Sequence, residues 1–194
     1  MKRTLLALTL LAALPFAASA AEGVSYNYVE GGYIGTNGDD ADADGWTVGG
    51  SAAIAENFHL FGSYDAQEAD DFTFGGVGFD GPEVDHWRAG VGYNHQITPK
   101  VDLLTRVAYE KYDLDSPEAD SSDGYSVEAG VRGAMTPNFE GWALAGYEDA
   151  EEFDGTFYGR VGAQVKFNQN WGVSGDVKVA DGDTQWFVGP RLTF

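Results

Sequence analysis

The chemistry-bearing residues with the clearest spacing are the acids of the segment Asp40–Gly45, which reads DADADG. Alternating carboxylates before a turn glycine match the first half of an EF-hand calcium loop. The glutamate that completes such a loop stands six residues after the glycine, and this chain has Ser51 there. The pattern therefore predicts only a weak Ca²⁺ or Mg²⁺ site at Asp40, Asp42 and Asp44, with an ordinary solvated acidic loop as the alternative.

Candidates for catalysis are few. The histidines are His59, His86 and His95, and only His86 has an acid beside it, Asp85. Such a pair could act in general-base chemistry, but adjacent strand residues point to opposite faces, so these two side chains cannot form a simple dyad. The chain has no G-x-S-x-G motif and no cysteine, which excludes thiol chemistry and disulfides. We therefore expect a protein that is not an enzyme and requires no cofactor.

The charge balance restricts the possible partners. Of 194 residues, 31 are Asp or Glu and 11 are Lys or Arg, a formal net charge of −20. This charge repels a phosphate backbone, so we expect no binding to nucleic acid. Twenty of the acids stand in segments without Lys or Arg: 36–44, 66–83, 113–123, 149–155 and 181–183. Such segments attract Ca²⁺, Mg²⁺ or basic partners and approach anionic lipopolysaccharide through cations.

The first twenty residues have the pattern of a secretory signal peptide. A basic start precedes an apolar run over residues 5–14, and Ala18-Ser19-Ala20 is the small-x-small pattern that signal peptidase cleaves. The run is shorter than the roughly 20 residues of a helical membrane span. We therefore expect cleavage after Ala20, which leaves residues 21–194 as one domain. The alternative is an N-terminal helix in the core.

The rest of the chain divides into ten strand candidates. They cover residues 23–35, 45–54, 58–65, 85–95, 101–112, 124–134, 139–148, 156–167, 171–180 and 184–194. Short turns alternate with the longer acidic segments, and the candidates have about the 9–11 residues of a tilted transmembrane strand. This layout predicts an all-β fold, an antiparallel up-and-down transmembrane β-barrel of ten strands, with eight strands as the alternative.

From the second candidate onward, alternate residues form two different faces. One face carries no charge, and it places Trp, Tyr and Phe at the strand ends with Val, Ala, Gly and Leu between them. A charge on the lipid face costs about 2–4 kcal/mol at the bilayer midplane, and aromatic rings favour the headgroup region. The uncharged face is therefore predicted to contact lipid. A soluble β-sandwich, the alternative fold, would not require aromatic girdles.

The opposite face carries fourteen charges and is predicted to line the barrel. The acids are Asp65, Asp102, Glu110, Glu128, Glu140, Glu148 and Asp176, and the bases are Arg88, Arg106, Arg132, Arg160, Lys166, Lys178 and Arg191. Bulky Phe61, Leu104, Trp142, Leu144, Tyr158 and Phe187 share this face. Because the two signs balance, we expect an interior filled by paired side chains. A narrow water-filled conduit is the alternative.

Several motifs resemble known outer-membrane proteins. The C-terminal alternation from Trp186 to Phe194 resembles the signal that the barrel-assembly machinery recognises, and the whole layout resembles small barrels of the OmpA/OmpX type. The leader together with Tyr26–Tyr33 and Leu60–Tyr64 resembles a xanthomonad family described as regulated by a diffusible signal factor. The resemblance implies a location in the outer membrane of a Gram-negative cell, reached with the help of periplasmic chaperones and that machinery.

These patterns predict a monomeric, non-enzymatic outer-membrane barrel with a structural or surface-interaction role. Its acidic extracellular loops would bind cations, lipopolysaccharide or a partner surface. The alternative is a narrow, cation-preferring outer-membrane channel, in which the acidic mouth concentrates cations.

Overall fold

Ten antiparallel strands close into a barrel in the computed structural model, which describes residues 20–38, 42–74, 77–79, 81–114, 121–151 and 153–194. The elements are β1 (Tyr28–Asn37), β2 (Asp42–Ala55), β3 (Phe58–Ala69), β4 (Phe72–Phe74), β5 (Val77–Phe79), β6 (Glu83–Thr98), β7 (Val101–Leu114), β8 (Ser122–Thr136), β9 (Phe139–Ala150), β10 (Phe153–Lys166), β11 (Trp171–Ala180) and β12 (Asp183–Thr193). Strands β4 and β5 form a separate two-stranded sheet. The prediction of ten barrel strands is confirmed, and the alternative of eight is excluded.

The barrel closes by pairing its first and last strands. Tyr28 lies opposite Thr193 and Asn37 opposite Thr184, and every other barrel strand pairs with its neighbours in the sequence of barrel strands. Closure leaves the sheet without a free edge, so the wall satisfies its backbone hydrogen bonds internally. The turns after β2, β6, β8 and β10 lie at one end of the barrel, here called the turn end. The opposite end is the loop end.

All five of the predicted acidic loop segments are partly strand, and two of them illustrate why. β2 already begins at Asp42, and its pairing with β1 continues through Gly35–Asp44 to Asn37–Asp42. β3 likewise continues to Ala69, and Glu68 pairs with Glu83 of β6. A ladder that is already in register continues at little cost beyond the lipid, where polar side chains are solvated. The apolar pattern therefore marks the membrane-facing part of each strand and not the end of the strand.

The first strand was predicted over residues 23–35, and this prediction is wrong at both ends. β1 starts at Tyr28, and from there the alternation is regular. Tyr28 and Ile34 are buried on the inner face, whereas Val29 and Tyr33 are exposed on the outer face. The residues before Tyr28 leave the wall and turn into the lumen, so they do not share the alternation of β1.

The outer wall is apolar and carries aromatic rings near both ends, as predicted. Val107 is 58% exposed in the middle of the wall, although it is a large apolar side chain. At the loop end the Tyr64 ring lies 4.4 Å from the Trp87 ring, and at the turn end Phe58 lies 5.1 Å from Tyr93, measured between centroids. These are the two girdles expected of a barrel in lipid. No helix in the described parts of the chain is long and apolar enough to cross a membrane.

A positive charge on the outer wall should destabilise the protein according to depth. We expect Val107→Arg to lower the free energy of unfolding in lipid vesicles by about 2–4 kcal/mol, because Val107 lies midway along β7. The matched control is Ile97→Arg near the turn end of β6, which should cost only about 0–1 kcal/mol. Urea titration followed by tryptophan fluorescence measures both values. Equal small costs at the two positions would mean that water, and not lipid, covers this face.

Candidate functional site

The lumen is divided into an open half and a filled half. A cavity of about 470 Å³ occupies the half toward the loop end. Its ionisable lining consists of Glu30, Asp65, Glu110, Glu148, Asp154, Asp176, Asp181 and Asp183 together with His86, Arg88, Arg160 and Lys178. Carboxylates therefore outnumber cationic side chains around this cavity, so it favours positively charged solutes over anions.

The half toward the turn end is filled by residues 20–27, which we call the N-terminal plug. Ala21, Val24 and Tyr26 are buried and form an apolar cluster with Leu104 and Leu144 from the inner face of the wall. The Tyr26 ring also stacks on His59, with 4.4 Å between the ring centroids. Burial raises the pKa of the Tyr26 phenol, so its hydroxyl stays protonated and can act as a donor.

Hydrogen bonds fix the backbone of the plug to the wall. The Glu22 amide donates to the Pro99 carbonyl over 2.8 Å, and the Arg132 guanidinium donates to the Ser25 carbonyl over 3.0 Å. The side-chain oxygen of Asn27 accepts a bond of 2.8 Å from the Ala53 amide. The sequence pattern does not reveal this plug, because it places Val24 and Tyr26 in the predicted first strand, 23–35.

Glu128 is the centre of the interior charges. Its carboxylate lies 3.1 Å from Arg88, 3.6 Å from Arg106 and 3.9 Å from Arg160. The Tyr158 hydroxyl donates to the same carboxylate over 2.9 Å. One buried acid therefore holds together cations from β6, β7 and β10, and it keeps three mutually repelling guanidinium groups in place.

This cluster continues through His86 to the opposite side of the barrel. Arg88 also contacts Glu110 at 2.9 Å, and Glu110 lies 2.6 Å from Nε2 of His86. Nδ1 of His86 lies 3.0 Å from Asp65. Since a carboxylate can only accept, both ring nitrogens of His86 act as donors, and the ring bridges β3 to β7. We call the connected groups from Asp65 to Arg160 the charged belt.

All seven bases predicted for the interior take part in ion pairs. Besides those already described, the pairs are Arg160–Asp176, Arg132–Glu140, Lys166–Glu140, Lys178–Glu148 and Arg191–Glu30. Glu30 is an interior acid that the sequence pattern missed, because the alternation of β1 was not recognised. Its position opposite Arg191 in the seam follows once β1 is taken to start at Tyr28.

The Asp85-His86 pair does not form a dyad, as predicted. His86 faces the lumen and stacks on Tyr112 at 4.4 Å, whereas Asp85 faces outward and accepts from the Tyr64 hydroxyl over 2.7 Å. His59 is buried in the lumen, and His95 is exposed. The bridging position of His86 suits a structural role in the charged belt.

The acids predicted to bind a metal do not lie on one loop. Asp40 is outside the described residues, and Asp42 and Asp44 lie on β2, exposed on the outer face. Asp44 accepts a hydrogen bond from the Tyr33 hydroxyl. Within the described ranges, no group of three or more His, Asp or Glu residues is arranged to hold a metal ion. The metal site stays a prediction.

Four aspartates on the outer wall share one arrangement at the loop end. In each case a tyrosine of the adjacent strand donates its hydroxyl to the carboxylate: Tyr33 to Asp44, Tyr64 to Asp85, Tyr109 to Asp123 and Tyr125 to Asp149. We call Asp44, Asp85, Asp123 and Asp149 the outer carboxylates. Each lies two residues from an outward aromatic ring on its own strand, and therefore on the same face. They form a band of negative charge next to the girdle.

Comparisons with known proteins agree with this architecture. No protein-family model and no curated protein sequence matches the chain. Among solved structures, the NanC porin has a TM-score of 0.53 and 7% identity, covering 86% of this chain and 100% of that chain. The KdgM porin in complex with disordered oligogalacturonate has a TM-score of 0.49 and 14% identity, over 86% and 99% of the two chains. Ail, the attachment invasion locus protein of Yersinia pestis, has a TM-score of 0.42 and 14% identity, covering 88% of this chain and 100% of that chain.

The likeness to the NanC porin shows only the fold of this chain. That fold is the one found in outer-membrane β-barrels. The prediction of a small antiparallel β-barrel is confirmed at the level of the fold.

Removing the charge of Glu128 should strongly destabilise the barrel. We expect Glu128→Gln to cost about 3–5 kcal/mol of unfolding free energy, because it leaves buried guanidinium groups without their shared partner. Glu148→Gln is the matched control: it removes one interior carboxylate that pairs with a single lysine, Lys178, near the open cavity. Glu148→Gln should lower the free energy of unfolding clearly less than Glu128→Gln does. Urea unfolding in detergent micelles gives both values, and equal costs would contradict the central position of Glu128.

Proposed function

We propose that this protein is a non-enzymatic barrel of the cell outer membrane that interacts with its surroundings through the outer carboxylates. Divalent cations bound at these groups would bridge the barrel to the anionic headgroups of lipopolysaccharide. The observation that carries the proposal is the repeated Tyr–Asp pair on the outer wall, just beyond the girdle at the loop end.

The position of the outer carboxylates supports a role at the headgroup level. Aromatic girdles lie where the hydrocarbon meets the headgroups, so acids two residues away on the same face lie among the headgroups. Negative side chains there repel the anionic groups of lipopolysaccharide unless a cation stands between them. Ca²⁺ and Mg²⁺ prefer oxygen ligands such as carboxylates and phosphates. A bridging cation therefore turns a repulsive contact into a favourable one.

The tyrosines support cation binding by orienting the acids. A hydroxyl that donates to one carboxylate oxygen fixes the plane of that group, while the second oxygen can still accept a ligand bond. In Asp85 the Tyr64 hydroxyl bonds to Oδ1, so Oδ2 is the atom that would contact a cation. Pre-orientation lowers the entropy that binding must overcome.

The filled half of the lumen supports a role at the surface in preference to transport. The N-terminal plug and the interior ion pairs occupy the turn half of the barrel, where a solute would have to leave. We include in this proposal membership of the xanthomonad family, a monomeric state, and assembly with the help of periplasmic chaperones and the barrel-assembly machinery.

Removing outer carboxylates should abolish the stabilisation by divalent cations in lipopolysaccharide. The test variant combines Asp44→Asn, Asp85→Asn and Asp123→Asn. In vesicles that contain lipopolysaccharide, Mg²⁺ should stabilise the unmodified protein relative to EDTA, by up to about 2.7 kcal/mol at one hundred times the Kd. The triple variant should lose most of this stabilisation by Mg²⁺, because the side-chain amides of asparagine bind cations weakly. Thermal unfolding followed by circular dichroism measures both.

The matched control removes the same charge from the rim of the cavity. It combines Asp154→Asn, Asp181→Asn and Asp183→Asn, three acids that line the cavity. The control variant should keep the full stabilisation by Mg²⁺. In vesicles of neutral phospholipid, Mg²⁺ should stabilise neither the unmodified protein nor the control variant strongly. A control that loses as much of the response as the test variant would show that cations act through net charge only.

The second candidate function is a narrow, cation-preferring channel. The cavity of about 470 Å³ with its excess of carboxylates is the observation that favours it. We expect residues 21–194 in planar bilayers to show no discrete conductance, because the plug fills the turn half. A chain that also lacks residues 21–27 is the control for insertion and should conduct more. Reproducible cation-selective openings of the chain that keeps the plug would support the channel instead.

A further inference from the structure

Asp102 is a fully buried carboxylate at the turn end of β7, with 0% of its surface exposed. It accepts hydrogen bonds from the Ala21 backbone nitrogen with both oxygens, at 2.9 Å to Oδ1 and 3.1 Å to Oδ2. The Tyr26 hydroxyl donates to Oδ2 over 3.0 Å. Ala21 itself is only 1% exposed. Asp102 is therefore the main point at which the wall holds the N-terminal plug.

The structure shows no ion pair that neutralises this acid among the described residues. Arg132 lies opposite Asp102 in the β7–β8 register, but its guanidinium bonds to Glu140 at 2.6 Å and to the Ser25 carbonyl. The other six acids predicted for the interior, and Glu30, each contact a base or His86. A buried carboxylate without a cation is costly, so the position of Asp102 calls for a further positive charge.

An ammonium group at the position of the Ala21 nitrogen would supply the missing positive charge and a separate donor for each oxygen of Asp102. A peptide amide has one hydrogen, which the two oxygens of Asp102 must share in a bifurcated bond. A protonated α-amino group has three hydrogens and can donate to both oxygens of Asp102. Position 21 is also the expected first residue after removal of the signal peptide.

We propose that the α-ammonium group of Ala21, created by cleavage after Ala20, forms a buried ion pair with Asp102 that locks the N-terminal plug into the barrel. The proposal rests on the predicted cleavage site and is independent of the proposed function, which concerns the loop end. In the cleavage, water adds to the Ala20 carbonyl and the C–N bond to Ala21 breaks. Ala20 leaves as a carboxylate and the new amine takes up a proton.

Cleavage then has a structural effect beyond release from the leader. Before cleavage the nitrogen of Ala21 is a neutral amide, and Asp102 receives only neutral donors. After cleavage the donor is charged as well as the acceptor, so the contact becomes an ion pair with a stronger electrostatic attraction. The plug is therefore held most firmly in the processed chain.

The test uses protein purified from the outer membrane of cells that express the full chain. Intact mass first identifies the N-terminal residue, which must be Ala21. A pyridinecarboxaldehyde reagent that is selective for α-amines then labels the folded protein and the urea-unfolded protein. We expect labelling to be about tenfold slower or more in the folded state, because the reaction requires the plug to open.

Two variants separate an ion pair from simple burial. Asp102→Asn keeps the shape of the side chain and should speed labelling of the folded protein by about tenfold, since the lost partner favours opening. Glu148→Gln is the control, because it removes an interior acid far from the plug, and it should leave the labelling rate unchanged.

A second measurement keeps the test decisive if Asp102→Asn folds poorly. A refolded chain with one extra glycine before Ala21 moves the ammonium group away from Asp102 and should lower the unfolding temperature relative to the chain that starts at Ala21. In the Asp102→Asn background the extra glycine should have little effect. A different first residue, unprotected labelling of the folded protein, or an equal effect of the glycine in both backgrounds would each overturn the proposal.

Discussion

The lack of water in the hydrocarbon of a bilayer determines most of this structure. Every backbone amide and carbonyl in that layer needs a partner within the protein, and a closed barrel is the arrangement of strands that supplies one. Closure in turn gives each strand one face to lipid and one to the lumen. The seam between β1 and β12 thus follows from the same requirement as the uncharged outer wall.

Because the lipid face excludes charge, the polar side chains of the wall must lie inside, and there each one needs a partner. Three arginines gather around Glu128, and His86 bridges two acids. Such a network links strands that are not neighbours in the sheet, and it resists flattening of the barrel. Removal of any one partner would leave an uncompensated buried charge, so the members of the network depend on one another.

Much of the wall could be predicted from the sequence. Its alternation is imposed by lipid, and so Val107, Arg106 and Glu128 were placed on the correct faces, together with the ten strands. The plug could not be predicted in this way, because residues 20–27 contact β7 to β9, which lie far along the chain. A local sequence pattern carries no information about such distant contacts. Glu30 was missed for a different reason: its face depends on where β1 begins. Asp42 was placed in a loop, although its pairing with Asn37 continues the strand.

The plug and the barrel wall are structurally separate parts of the molecule. Residues 20–27 contribute no strand to the wall and are joined to it covalently only at Tyr28. Movement of these residues out of the lumen would break their own contacts with the wall, including the bonds of Asn27 to Ala53 and Phe194, and would leave the paired strands in place. The cost of opening is therefore set largely by the contacts of the plug. Amide hydrogens of the wall and of the plug would therefore exchange with solvent on separate timescales. One small barrel thus combines a closed wall with a separate segment that is held inside it by hydrogen bonds and apolar contacts.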